Sequence, residues 1–166
     1  MASLATTLIP TLSANTTTAD RAEPAAHFDS ATAFAAIALT AVSWDGTLTM
    51  AGSRALRHSL DYRHPFKGYS DRRMVQLMND LLTAMRQTGA QHLMVEAAAA
   101  LSSDQKATAY SVANEIMRSD GILKPDEINI LSNLAIVLGL SDELTSQINQ
   151  VMDLLHADLT MSDQLA

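Results

Sequence analysis

The sequence predicts an all-α fold of about seven helices packed into a single compact bundle, and three observations carry that expectation. From residue 30 onward apolar residues recur at three- and four-residue spacing, as one buried helix face requires. Ser, Thr, Pro and Gly stand where the periodic segments begin and stop. No segment alternates apolar and polar residues between hairpin turns. At 166 residues the chain is one domain long, and its 48% hydrophobic content is enough to bury a core.

Each element follows from local signals. Residues 1–27 are rich in Thr, Ala and Ser without steady period, and read as a mobile N-terminal arm. The helical domain is expected over residues 28–158, with a polar tail over 159–166. Ser30 is placed to cap a first helix carrying Phe34, Ile37, Ala38, Ala41 and Val42, and Gly46 to stop it. Thr49 caps a second helix running to about Leu60. Pro65 and Gly68 mark residues 61–69 as a loop. Ser70 opens a helix bearing Met74, Leu77, Met78, Leu81, Leu82 and Met85, which closes near Gly89. Residues 90–101 are alanine-rich and apolar nearly all round, so they are expected to form the buried central helix. Ser102 and Gln105 make a capping box ahead of Ala109, Val112, Ala113, Ile116 and Met117. Pro125 suits the first turn of the next helix, which Gly139 ends. Ser141 starts the last, with Leu144, Ile148, Val151, Met152 and Leu155 on its apolar face.

Composition excludes several functions. Without cysteine there is no disulfide, thiolate metal site or cysteine nucleophile. The five histidines form neither His-Glu-x-x-His nor Glu-x-x-His, so zinc-protease and di-iron chemistry are absent. The six glycines build no phosphate loop and no Gly-x-Ser-x-Gly elbow. A non-enzymatic protein is the expectation. No apolar run reaches the roughly 20 residues that span a bilayer. The start lacks a basic region, and its first apolar residues are broken by Pro10, so a cytoplasmic location is expected.

Charge is unevenly spread. Residues 1–49 carry −3, residues 50–90 carry +4, and residues 91–166 carry −8. The basic stretch from Arg54 to Arg86 interleaves Tyr62, Phe66 and Tyr69, a composition that can stack bases. A pI near 5.0 argues against nucleic acid, and packing is the expected role of those aromatics. The expected partners are proteins, a second copy of this chain among them, met through residues 54–86 or through acidic loops.

The most informative feature is an internal repeat at an offset of 75 residues. Residues 38–48 match residues 113–123, and Leu56 matches Leu131. Each copy is an apolar helix, an Asp-Gly turn, a leucine and a second helix. The glycine permits a left-handed turn, and the aspartate can accept amides at the start of the next helix. Asp120 and Glu127 have the separation of the fifth and twelfth positions of an EF-hand loop. Ile116 and Arg118 then fall where that loop needs carboxylates, so this is not an EF-hand.

These paired hairpins resemble the TerB family of tellurite-resistance proteins. The resemblance rests on residues 34–48, on residues 90–101, and on residues 109–140 with their Ser-Asp-Gly-x-Leu-x-x-x-Glu core and Leu-Gly-Leu end. It implies a helical bundle whose Asp-Gly loops lie close together, acting in tellurite or general stress resistance. It also implies a divalent cation, calcium or magnesium, held by the oxygens of Asp45, Asp120 and Glu127, together with protein partners. In that pattern both loops end in an acidic residue, and Gly52 departs from it. Gly52→Glu is expected to restore the missing carboxylate and to add about 1 kcal/mol of helix propensity. The same residues also fit a structural adaptor whose loops only cap helices and which docks an acidic partner without metal.

Overall fold

The computed structural model describes residues 28–44 and 47–157, with Asp120 described by its backbone alone. The arm, the tail, Asp45 and Gly46 lie outside the described residues. Those described form seven α-helices and no strand. They are α1 (Ser30–Val42), α2 (Met50–Asp61), α3 (Asp71–Thr88), α4 (Ala90–Ala99), α5 (Ser103–Met117), α6 (Pro125–Leu138) and α7 (Asp142–Leu155). Two 3-10 turns, Phe66–Gly68 and Arg118–Asp120, occupy the connections. No helix among the described residues is long and apolar enough to cross a membrane.

The caps follow local chemistry. Thr49 Oγ1 accepts the Gly52 amide at 3.0 Å, and Ser70 and Ser141 do the same for Arg73 and Leu144. Ser102 and Gln105 form the reciprocal box, with the Ser102 amide donating to Gln105 Oε1 at 2.9 Å. The first cap differs from expectation. Asp29, not Ser30, takes the Thr32 amide at 2.7 Å. Ser30 is already helical, and its hydroxyl donates to the Ala100 carbonyl at 3.3 Å. A carboxylate is the stronger acceptor for an amide at a positive helix end.

The centre of the bundle also differs from expectation. It is α1, not α4. Residues 33–41 are buried without interruption, and α2, α3, α4 and α5 all pack around that helix. Small side chains at Ala33, Ala35, Ala36, Ala38 and Ala41 let neighbours approach from every side. The buried hydroxyls of Thr40 and Ser43 are satisfied by the Ile37 and Leu39 carbonyls at 2.8 and 2.6 Å, so neither is stranded. In α4 only Leu93, Met94, Ala97 and Ala98 are buried, while Gln91, His92 and Val95 face solvent. With that face outward, α4 is a one-sided layer.

The two halves of the repeat bury corresponding residues. Ala38 and Ala113, Ala41 and Ile116, and Leu56 and Leu131 are core positions, and Leu48 and Leu123 both pack against the core. The second half adds a polar seam. Asn114, fully buried, donates from Nδ2 to Asn149 Oδ1 at 2.6 Å, and Tyr110 donates to the same oxygen at 3.1 Å. Arg118 Nε donates to Asn114 Oδ1 at 2.8 Å and Arg118 pairs with Asp153 at 2.7 Å. This seam joins α5 to α7. It explains why the apolar face expected of α7 is displaced: Val151 and Leu155 are exposed, and the inward side carries Leu144, Thr145, Ile148, Asn149 and Met152.

Candidate functional site

The first hairpin, α1 and α2, and the second, α5 and α6, meet across a cleft of about 300 Å³. Trp44, Thr47, Thr49 and Gly52 line it from one side, and Ser119, Lys124, Asp126 and Glu127 from the other. Each hairpin therefore presents its connecting segment and the first turn of its second helix to the same space. The second segment bends at Gly121, whose φ of 129° lies where a Cβ is strained.

Of the expected site residues, Glu127 is described in full. It occupies the third position of α6, and its side chain is 20% exposed. Its Oε2 accepts the Lys124 amide at 2.8 Å, and its Oε1 lies 3.9 Å from the Lys124 ammonium. Glu127 thus fastens the start of α6 while lining the cleft. Asp45 lies outside the described residues, as does the side chain of Asp120, whose backbone ends the 3-10 turn. The amides at the two second-helix starts are served by Thr49 and Glu127, at helix-cap spacing from the helix itself. Among the described residues no group of three His, Asp or Glu side chains stands close enough to hold a metal ion.

Apart from Trp44 and Lys124, the polar side chains of the cleft are hydroxyls and carboxylates. Such acceptors suit a hard cation and not a soft one. Asp126 joins Glu127 at the rim, and its repeat partner Ala51 lines the same cleft. Trp44, the chain's sole tryptophan, also lines the cleft and is an optical reporter inside it.

Gly52 has a packing reason of its own. A Cβ there would stand 3.2 Å from Val42 Cβ and 3.2 Å from Thr49 Oγ1. The first turn of α2 is pressed against the end of α1, and glycine allows that approach. The expected gain from Gly52→Glu is therefore opposed by crowding.

Part of the basic segment is spent on folding. Arg57 bridges Asp61 and Asp71, both at 2.6 Å, and these two carboxylates raise its already high pKa. Arg73 lies 3.8 Å over the Tyr69 ring, which meets the buried Phe66 edge-on at 5.4 Å. Tyr62 departs from the packing expectation, being largely exposed against His58. The methionines Met74 and Met85 are buried in the core, and Met78 packs against it. Compared with protein-family models, curated proteins and solved structures, the chain matches none of them.

Proposed function

We propose that this chain is a TerB-like, non-enzymatic binding module of tellurite or stress resistance, whose site is the cleft between its two hairpins. The observation that supports this reading is the joining of repeat-related positions, Gly52 and Glu127, around one space lined by oxygen acceptors. Asp45, Asp120 and Glu127 would hold a calcium or magnesium ion there, with water completing the shell. A bound cation would supply positive charge between the carboxylates and make stability depend on metal concentration. A cytoplasmic protein partner would be met through the basic α2–α3 surface or the acidic loops.

A melting series with EDTA, calcium, magnesium and zinc tests the proposal, with Trp44 fluorescence as a local readout. Calcium or magnesium at millimolar concentration is expected to raise the midpoint. A ligand at a hundred times its dissociation constant adds about 2.7 kcal/mol. The second reading is an adaptor without metal, and the Lys124 amide and ammonium already engaging Glu127 favour it. An unchanged midpoint and unchanged fluorescence would select that reading.

A further inference from the structure

A second cavity, of about 580 Å³, opens between the start of α1, the α2–α3 connection and the first turn of α5. It shares no residue with the cleft between the hairpins. Its floor is apolar: Phe34 and Phe66 are buried, their ring centroids 6.3 Å apart, and Pro65 extends the surface. Two opposite charges, Arg63 and Asp104, share its wall.

These charges do not close on each other, and neither has another ionic partner among the described residues. Arg63 is held by donating from Nη1 to the Ser59 carbonyl, which leaves the rest of its fork free. Asp104 stands exposed in the first turn of α5, between Ser102 and Gln105 of the capping box, and its carboxylate accepts nothing from the described residues. One cavity thus offers an anion acceptor, a cation acceptor and an apolar floor. Its volume is within the range of small-molecule sites.

We infer that this cavity binds a small zwitterion with an apolar body, of the class of free apolar α-amino acids. The ligand's carboxylate meets Arg63, its ammonium meets Asp104, and its side chain covers Phe34 and Phe66. Either charge alone would leave one protein group unanswered, which sets the specificity.

Isothermal titration of the full chain with L-leucine tests this, alongside N-acetyl-L-leucine, which lacks the ammonium, and L-leucinamide, which lacks the carboxylate. Saturable binding of leucine is expected, with each derivative weaker by about tenfold or more, as loss of a charged hydrogen bond requires. Arg63→Gln and Asp104→Asn, each checked for unchanged helicity, are expected to weaken leucine similarly, and Arg63→Lys to retain more binding than Arg63→Gln. Absence of saturable heat with leucine, equal affinity for all three probes, or indifference to both variants would overturn the inference.

Discussion

Gly52 in the first hairpin and Glu127 in the second, related by the 75-residue repeat, line the same cleft. One is the start of a helix pressed against its neighbour, and the other is a carboxylate fastening its own helix. The helix-propensity gain of about 1 kcal/mol on replacing Gly52 is offset by the 3.2 Å approach to Val42. Neither Gly52→Ala nor Gly52→Glu is expected to raise the melting temperature without metal. An increase of about 3 °C or more by calorimetry, the size of an unopposed gain, contradicts the packing argument.

The α5–α7 seam predicts a costly polar substitution. Asn149→Ala removes the acceptor shared by Asn114 and Tyr110, leaving a fully buried amide without its partner. The expected loss is about 2 kcal/mol in urea unfolding, against about 1 kcal/mol for Tyr110→Phe. Equal losses, or a loss below about 0.5 kcal/mol for Asn149→Ala, would mean the seam contributes nothing beyond its surface.

Acid is expected to weaken the start of α1. The hydrogen bond from the Thr32 amide holds the Asp29 carboxyl below its usual value of 3.8. A depressed carboxylate stabilises above its unfolded pKa, and that contribution is lost as pH falls through the lower folded value. Asp29→Ala should therefore be less stable than the parent by about 1 kcal/mol at pH 7, with the gap narrowing below about pH 4. Urea midpoints of both proteins at neutral and acid pH decide it, and a gap that widens on acidification refutes the assignment.

Much of the fold is legible in the sequence because caps and stops are local. Thr49, Ser70, Ser102 with Gln105, Pro125 and Ser141 each act within one turn of where they stand. The central helix is not legible that way. Both α1 and α4 are alanine-rich, but α4 carries Gln91, His92 and Glu96 where residues 33–41 of α1 have only Thr40 as a polar residue, a difference that alanine content hides. Apolar periodicity finds part of the inward face of α7, Leu144, Ile148 and Met152, but not Asn149, which meets Tyr110 and Asn114 of α5. At the site, the repeat brings Gly52 and Glu127, Trp44 and Ser119, and Ala51 and Asp126 to the same cleft in pairs, but it gives no carboxylate opposite Glu127 or Asp126.

The basic segment is expected to ignore nucleic acid. Arg57 and Arg73 are committed to carboxylates and to Tyr69, and the chain as a whole is acidic. Retention on DNA or RNA should be negligible at physiological salt. Micromolar binding that weakens steeply with added salt would reverse this prediction.

Glu127→Gln separates the two roles of the cleft carboxylate. The amide oxygen of glutamine still accepts the Lys124 N–H, so the α6 cap and the melting temperature should change little. The ligand charge is gone, so cation affinity should fall by about tenfold or more. The decisive measurement is isothermal titration of calcium and magnesium into the parent and Glu127→Gln. Saturable heat in the parent, strongly weakened in the variant at equal stability, is the result predicted. Indistinguishable heats in the two proteins would contradict a cation site between the hairpins.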